Sequence, residues 1–238
     1  PGGVASDVLL QDMSPGLIDL PAPMQNGAIN IEELISCDPQ VVLVKQEVYV
    51  AKGQRELLDK TGLPYAVVGY DSIEGQIAAM ELVGRVCGGA ADERAQSLAQ
   101  YYRDVLAEVE HRAHGLAYDE RVRVYHSINA LVSTDGATSL GGDWIAAVGA
   151  VDVSAEDAEA LTATDYTASL EQIYEWDPDV FVCNSAETTR YLLEKENCAG
   201  LRAVQDGRCY TVPVGATRWG QRGSVETYLP CCGWGVRC

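Results

Sequence analysis

The sequence IEELISCDPQVVLV, which spans Ile31–Val44, returns in altered form as LEQIYEWDPDVFVC over Leu170–Cys183. Each copy starts behind a helix-capping residue and carries Glu or Gln three positions later, which predicts capping boxes at Asn30–Glu33 and Ser169–Gln172. Each predicted helix then meets Asp-Pro, whose ring forbids continuation and pushes the preceding residue into an extended conformation. The apolar run that follows predicts a buried parallel strand in both places.

The likeness between the two copies continues downstream. A second predicted helix, Arg55–Lys60 or Arg190–Lys195, leads in each half to another strand, Tyr65–Val68 or Cys209–Val212. Any α/β protein repeats such units, but two blocks matched in order favour two similar lobes.

One long helix is predicted between these lobes, from Asp92 to about His114. Apolar side chains recur along it with the helical period, while Glu and Arg fill the other face. At a rise of 1.5 Å per residue it spans roughly 30 Å, enough to bridge two lobes. We therefore expect an N-terminal lobe over residues 1–91, a linking helix over 92–115 and a C-terminal lobe over 116–238.

The segment after the linking helix predicts a strand at Arg121–Ile128 and then a flexible, polar loop, GATSLGG, at residues 136–142. Asp143 is expected to cap a helix that carries Trp144. Glycine-rich backbone beside a capped helix either receives an anion or an oxygen-rich ligand, or is only a turn. The sequence leaves both interpretations open.

The charge of the chain excludes nucleic acid as a partner. Acidic residues outnumber basic ones by 35 to 17, the net charge is -18, and no run of Lys or Arg exists to meet a phosphate backbone. No stretch approaches the roughly 20 apolar residues of a membrane span. Because the chain begins with Pro-Gly-Gly and no Met, the lack of a signal peptide carries no information on its compartment.

Eight cysteines are many for a cytosolic protein and few for a disulfide scaffold of this length. Three are expected to pack as small hydrophobic residues, namely Cys37, Cys87 and Cys183. Cys198 and Cys209 flank a turn and are candidates for a disulfide in an exported protein. The tail cysteines, Cys231, Cys232 and Cys238, lack a fourth ligand and C-x-x-C spacing, so an irregular terminus is favoured over a metal site.

No local motif indicates an enzyme. The sequence lacks G-x-S-x-G, G-x-x-x-x-G-K-[ST], H-E-x-x-H and G-x-G-x-x-G, and its three histidines offer little acid–base machinery. We therefore expect a binding protein without a cofactor. Two alternatives stay open. One is a metal-cluster or cofactor enzyme of related double-lobed fold that uses cysteines as ligands, and the other is a surface adhesion or sensor module that differs from an importer subunit only in its partner.

The motifs that carry a family resemblance stand in one collinear series: Asn30–Leu34, Asp38–Val42, Thr61–Tyr65, Gly84–Gly88, Ser133–Gly136, Trp144–Gly149, Ser169–Val182 and Leu201–Pro213. In this order they resemble the substrate-binding proteins of ABC importers for ferric siderophores, haem and vitamin B12. The resemblance runs from about Asn30 to about Leu229. Family members usually have a further strand-helix-strand unit before this region and a Trp-containing helix after it, so the first lobe is expected to be incomplete and the end of the second altered.

The resemblance implies an α/β fold of two Rossmann-like lobes joined by a single long helix, with a ligand cleft between them. It implies capture of an iron complex, siderophore or haem, or of cobalamin, and delivery to a membrane permease. It further implies a monomer outside the cytoplasm, either periplasmic or anchored as a lipoprotein. The sequence does not choose among these ligands, nor does it exclude an oxyanion such as molybdate.

Candidate ligand contacts are the residues just past strand ends, because ligands bind there in open α/β sheets. They are Lys45, Gln46, Tyr49 and Tyr70 in the first lobe, and Ser139, Trp144, Asn184, Arg218 and Trp219 in the second. Tyr166, just before the second capped helix, is a further candidate. Aromatic rings offer flat apolar area, and cationic groups offset ligand carboxylates. The pair Arg218-Trp219 is the strongest candidate, although each aromatic residue taken singly fits core or surface packing as well.

Acidic residues on the outer face of each lobe are implied by the resemblance to dock onto basic pockets of the permease. Glu226 occupies a position similar to a recurrent acidic residue, and Glu47 and Glu56 are the first-lobe candidates. With 35 acidic residues in the chain, a solvated glutamate is the competing interpretation of each.

Overall fold

The first lobe is built on two parallel strands. A computed structural model describes residues 8–25, 27–113, 115–156, 165–215 and 218–221. In chain order the first-lobe elements are α1 (Val8–Met13), β1 (Met24–Gln25), β2 (Ala28–Ile29), α2 (Ile31–Ser36), β3 (Val42–Lys45), α3 (Gln46–Val50), α4 (Gln54–Thr61) and β4 (Tyr65–Val68). The β3 and β4 strands pair in parallel, so both run toward the same edge.

A helical hairpin joins the two lobes. It consists of α5 (Ile73–Cys87) and α6 (Ala90–Ala113), separated by Gly88 and Gly89, whose positive φ angles of 67° and 53° make the turn. The two helices approach so closely at Gly84 that a side chain there would overlap Ala95. The long linking helix predicted from Asp92 is thereby confirmed, with 24 residues and a start two positions earlier.

The second lobe contains one mixed sheet with the strand order β10-β9-β5-β6-β8 and β7 beside β5. Its elements are β5 (Arg123–Ser127), β6 (Ser133–Asp135), α7 (Leu140–Ala147), β7 (Val151–Asp152), β8 (Asp165–Thr167), α8 (Leu170–Trp176), β9 (Val180–Cys183), α9 (Ala186–Glu194), α10 (Arg202–Gln205) and β10 (Cys209–Thr211). The β5, β9 and β10 strands are parallel, whereas β6 runs antiparallel to β5. The carboxyl ends of the parallel strands therefore share one edge.

The strands predicted from the repeated pattern are confirmed at β3, β4, β9 and β10, but the Asp-Pro pairs behave differently from the prediction. Asp38 and Asp177 are left-handed, with φ angles of 45° and 41°, rather than extended. Asp177 is the C-cap of α8, and its N–H donates to the carbonyl of Ile173. Aspartate tolerates this region better than most residues, and the proline after it keeps the chain from continuing the helix. Both copies of the pattern thus use the same reversal.

The two predicted capping boxes are only half equivalent. Ser169 Oγ accepts from Gln172 N and Gln172 Oε1 accepts from Ser169 N, so the second box is complete. Asn30 accepts from Glu33 N, but the Glu33 carboxylate accepts from Ala22 N instead of closing the box. The first helix is therefore tied to the preceding segment of chain.

One apolar core spans the linking hairpin and the second lobe. It joins Ile77 of α5 and Tyr102 of α6 to Trp144 and Ile145 of α7, and these four side chains are at most 1% exposed. The same core packs on the sheet. A second core lies on the other face of this sheet, around Tyr125, Phe181, Ile173 and Leu192, and a third, smaller one lies in the first lobe. The second lobe and the hairpin are consequently packed as one body.

The α7 helix begins earlier than predicted. Ser139, not Asp143, is its N-cap, with Oγ accepting from Gly142 N at 2.9 Å, and residues 140–142 of the predicted loop belong to the helix. Asp143 lies in the first turn, where its carboxylate accepts from the backbone N–H of Ile73, the first residue of α5, at 2.7 Å. This bond ties the second lobe to the hairpin beside the shared core.

The cysteines divide differently from the prediction. Cys183 is buried as expected, but Cys37 and Cys87 are exposed, because each lies at the C-terminal end of a helix where the chain meets solvent. Cys198 and Cys209 are free thiols that pack against the second core. The tail cysteines lie outside the described residues. Within the described ranges, no helix has both the length and the apolar character that crossing a membrane requires.

The bond between Asp143 and α5 generates a stability prediction. Asp143→Ala removes a charge-assisted hydrogen bond at a helix N-terminus, and we expect it to lower the free energy of unfolding by about 1–3 kcal/mol. Urea unfolding followed by far-UV circular dichroism measures the change. Glu187→Ala is the matched control, because Glu187 is also a first-turn acid but is exposed to solvent. Equal losses in the two variants would contradict a role for Asp143 in joining the lobes.

Candidate functional site

The candidate site lies at the carboxyl edge of the second-lobe sheet. Ser127, Cys183 and Thr211, the last residues of β5, β9 and β10, are neighbours in register across this edge. The chain continues from them into the β5–β6 turn, Asn184 and the segment that leads to Arg218. Ligands bind beyond the carboxyl ends of strands in open α/β sheets, so this edge is where the fold positions functional side chains.

A buried histidine links the sheet to this edge. His126, in β5, is 6% exposed, and its Nδ1 forms a hydrogen-bonded ion pair with the carboxylate of Asp135 in β6. Its Nε2 lies 2.9 Å from Oδ1 of Asn184. The ring of Trp144 packs edge-on against the imidazole, with centroids 5.0 Å apart. Burial disfavours the imidazolium, but the Asp135 charge and the hydrogen bonds to Asp135 and Asn184 outweigh it, so the pKa of His126 is raised.

A second buried carboxylate lies behind this pair. Asp152, at the end of β7, accepts at Oδ1 from the N–H and the hydroxyl of Ser154, at 3.0 and 2.7 Å. Its Oδ2 has no hydrogen-bond partner among the described residues. Burial, and to a lesser degree the nearby charge of Asp135, raise the pKa of Asp152 to about 6. The site therefore holds two carboxylates, one paired with His126 and one that ionises reluctantly.

Arg218 and Trp219 lie beside this cluster. The backbone bridge between Val214 and Arg218 and the bond from Trp219 N to the carbonyl of Pro213 close a loop directly after β10. Trp219 packs against the shared core, and Arg218 is half-buried with no partner for its Nε among the described residues. Burial lowers the pKa of Arg218, and the charge of Asp135 partly opposes this, so the guanidinium lies within electrostatic range of that carboxylate. At any physiological pH it remains a cation.

The glycine-rich start of α7 already holds an anion of the protein itself. A Cβ added at Gly141 would overlap the carboxyl group of Asp135, so this carboxylate lies directly against the first turn of the helix. The positive end of a helix favours such a charge. Of the two interpretations left open for this loop, an external anion has no free place here, and the glycines serve close packing on Asp135.

In the first lobe, the structure brings some of the predicted residues to the carboxyl edge. Lys45 ends β3 and forms an exposed ion pair with Glu47 at 3.8 Å. Gln46 lies against Gly69, the residue after β4, where an added Cβ would come within 2.8 Å of its amide oxygen. Tyr70 follows and is half-buried, and its pKa is raised by that burial and by the charge of Glu47. These three residues therefore share one edge.

Four of the predicted contacts are not at the cleft surface. Ser139 and Trp144 are each 1% exposed, because one caps α7 and the other fills the shared core. Tyr49 packs beside Tyr65, at the opposite end of the strands, with Arg55 over its ring. Tyr166 lies on the far face of the second sheet, where its ring contacts Trp176 and its hydroxyl accepts from Gln172 Nε2. Their side chains support the site or the lobes rather than line the edge.

The sequence interpretation missed His126 and Asp135. Both lie inside predicted elements or motifs, but neither lies just past a predicted strand end, where ligand contacts are expected. The only local signal was a histidine within the apolar strand Arg121–Ile128, where an unpaired imidazole would be costly. Its partner comes from the antiparallel β6, a pairing that residue patterns did not predict.

Metal binding by protein side chains finds no support at this site. The described ranges contain no group of three or more His, Cys, Asp or Glu side chains arranged to hold a metal ion. Both nitrogens of His126 are already engaged. The side chains at this edge supply a cation from Arg218, an amide from Asn184 and an indole from Trp219. They lie beside the buried pair of His126 and Asp135, and such a set of groups suits recognition of a ligand.

A separate apolar groove of about 290 Å³ lies between α5 and α6. Tyr70, Met80, Val83 and Tyr102 are among its lining residues. It contains none of the polar groups of the second-lobe edge, so it is a distinct surface feature.

Comparison with known proteins identifies the family. A model of the family described as periplasmic binding protein matches residues 2–214. An ABC transporter substrate-binding lipoprotein of Bacillus subtilis, the uncharacterized YvrC, is 22% identical over 199 residues, which cover 82% of this chain and 61% of YvrC. The chain thus spans less than two thirds of the length of that relative.

Solved structures share the two-lobed fold. The molybdate periplasmic binding protein MolA of Haemophilus influenzae superposes with a TM-score of 0.77 at 20% identity, over 95% of this chain and 75% of MolA. The periplasmic vitamin B12 binding protein BtuF of Vibrio cholerae gives 0.72 at 16% identity, over 96% of this chain and 86% of BtuF. The predicted α/β architecture of two lobes and one long linking helix is confirmed.

The raised pKa of Asp152 generates a prediction for stability against pH. In the unfolded chain this carboxyl ionises near pH 3.8 and in the folded protein near 6, so the folded state binds the extra proton between these values. Ionisation of Asp152 therefore lowers the free energy of unfolding progressively as pH rises from about 4 to 6, by about 3 kcal/mol in total. Asp152→Asn removes this cost, and its stability relative to wild type should rise by that amount between about pH 4 and pH 7.

Urea unfolding at both pH values measures this difference, and Asp206→Asn, an exposed aspartate at the end of α10, is the control. A constant difference between Asp152→Asn and wild type across the pH range would show that Asp152 ionises as a solvated carboxyl does.

Proposed function

The chain belongs to the periplasmic binding protein family, and on this premise we propose that it is the substrate-binding component of an ABC importer. The observation that carries the proposal is the set of groups at the carboxyl edge of the second lobe, Asn184, Arg218 and Trp219. They combine a cation, an amide and an aromatic surface where ligands of such folds bind. None of them is needed to complete the sheet.

The proposed ligand is an anionic, oxygen-rich metal complex, either a ferric siderophore or haem. A half-buried guanidinium with an unpartnered Nε gains most from a carboxylate, catecholate or propionate oxygen. The indole of Trp219 offers flat area to a porphyrin or an aromatic chelator. Cobalamin and a simple oxyanion are the competing ligands. A simple oxyanion would use the cation without the indole.

The proposed partner is a membrane permease that receives the ligand outside the cytoplasm. The similarity to a substrate-binding lipoprotein supports this location. Glu47 and Glu56 are exposed in the first turns of α3 and α4, as a docking role requires, whereas Glu226 lies outside the described residues. A monomer with lobes over residues 1–91 and 116–238 and a linking helix over 92–115 belongs to the same proposal. Complementary charge would steer encounter more than it adds affinity.

The enzyme alternative gains no supporting observation. The family is one of substrate-binding proteins of transport. The described cysteines lie either exposed and apart, at Cys37 and Cys87, or in the second core on the sheet face opposite His126. Elemental analysis of the purified protein tests this alternative directly. One equivalent per chain of iron or zinc held by cysteines would support the enzyme.

The ligand assignment is tested by titrating haem, a ferric catecholate, cyanocobalamin and molybdate while following tryptophan fluorescence. We expect saturable quenching by haem or the ferric complex, and Arg218→Ala should weaken it by about 10–100-fold, because a charge-assisted bond contributes about 1.5–3 kcal/mol. Arg121→Ala is the control, since Arg121 is exposed at the amino end of β5, away from the site. Trp219→Phe should remove most of the quenching.

Two outcomes would overturn the assignment. If no probe changes the fluorescence of a protein shown to be folded by circular dichroism, the ligand class is wrong. If Arg121→Ala and Arg218→Ala weaken binding equally, the ligand does not lie at the carboxyl edge of the second lobe.

A further inference from the structure

The relay formed by Asp135, His126 and Asn184 is arranged so that the histidine faces an acceptor on each side. Nδ1 faces the Asp135 carboxylate and Nε2 faces Oδ1 of Asn184 at 2.9 Å. Only the imidazolium, which carries an N–H on both nitrogens, satisfies both acceptors at once. Because the ring is 6% exposed, water does not readily replace either partner.

This arrangement has a consequence for the amide of Asn184. Its oxygen is turned inward to His126, so its NH2 group is directed away from the relay, and no hydrogen bond joins that group to any of the described residues. Asn184 is half-buried and follows directly after β9, beside the loop that carries Arg218. The amide nitrogen therefore lies on the cleft side of the relay.

We propose that Asp135 and His126 are positioning residues that hold the Asn184 amide with its NH2 group toward the cleft. The edge then presents two kinds of donor, the Asn184 amide and the Arg218 guanidinium, and selects ligands that offer negatively charged oxygens. This inference rests on the proposed function. It identifies the Asn184 amide as the group that decides whether the site binds a ligand with hydrogen-bond acceptors or one with hydrogen-bond donors.

Because of this relay, the preference for ligands with negatively charged oxygens depends on whether His126 is protonated on both nitrogens. The charged groups that act on this ring are Asp135 from β6 and Asp152 from β7, and the pKa of His126 is raised. Arg218, from the loop after β10, interacts with the Asp135 carboxylate of the same relay. Above that pKa, Nε2 becomes an acceptor, and two acceptors would then face each other. Turning the amide over restores a hydrogen bond but directs Oδ1 to the cleft, so the edge changes from donor to acceptor. Affinity for an anionic ligand should fall as pH rises through this value.

The first test is binding of two probes, haem and molybdate, at about pH 6 and at a second pH above the histidine transition, which nitrogen-15 spectra of the same protein locate. Asn184→Asp keeps an acceptor for His126 but has no N–H for the ligand, so we expect at least about tenfold weaker binding at pH 6 and a smaller loss above the transition, where the wild-type amide also presents its oxygen. His126→Gln keeps a donor toward Asn184 at every pH. It should bind within about threefold of wild type at pH 6 and lose the pH dependence.

Asn197→Asp, an exposed asparagine after α9, controls for the added charge and should leave affinity unchanged. Tight, pH-independent binding by wild type, or equal losses in Asn184→Asp and Asn197→Asp, would overturn the positioning role while leaving the proposed function in place.

A second measurement needs neither a variant nor a ligand. Nitrogen-15 spectra of the wild-type protein resolve its three histidines. We expect one of them, assigned to His126 through its buried amide, to be protonated on both nitrogens at neutral pH, and the side-chain amide signals of Asn184 to shift as this ring titrates. A neutral His126 at neutral pH, or Asn184 signals that ignore its titration, would contradict the proposal even if no probe binds. Absence of binding with the relay intact would instead count against the proposed ligand class alone.

Discussion

Packing of the helical hairpin against the second-lobe sheet is the contact on which the rest of the structure depends. Ile77 and Tyr102 meet Trp144 and Ile145 in one core, each almost completely removed from solvent. Burial of this many large apolar side chains gives the strongest favourable contribution available to a fold of this size. The bond from Ile73 N to Asp143 adds a directional contact at its margin. Together they fix the second lobe relative to the helix that joins it to the first.

The same core creates the chemistry at the edge. Trp144 covers one side of His126, and Gly141 allows α7 to lie directly on Asp135. Water is excluded from the ion pair, so the charges of Asp135 and His126 act at short range with little screening. A polar relay this deep is tolerated because both ring nitrogens of His126 have hydrogen-bond partners. The arrangement of groups at the proposed edge is therefore a consequence of how the hairpin packs on the second lobe, in which Trp144 takes part from within the core.

The sequence was sufficient to predict the parts of this fold that depend on local patterns. The repeated Asp-Pro motif located the strands β3 and β9, and the period of apolar residues located the linking helix to within two positions. The rule that sites lie past strand ends selected Arg218, Trp219 and Asn184, whose contact with a ligand stays a prediction. The left-handed conformation of Asp38 and Asp177 was not predicted, because it reflects a helix cap that overrides the extended preference before proline. Asp135 and His126 escaped because their contact requires β6 to turn back beside β5, and nothing local in either segment encodes that pairing.

The central claim is that ligand lies at the carboxyl edge of the second lobe, held by the Arg218 guanidinium and the Asn184 amide. The most direct measurement is a crystal structure of the protein with a bound ferric complex or haem. Our account predicts an anionic oxygen of the ligand within hydrogen-bonding distance, about 3 Å, of both side chains, with the Asn184 oxygen still facing His126. Ligand density in the groove between α5 and α6, or an edge occupied only by solvent, would contradict it.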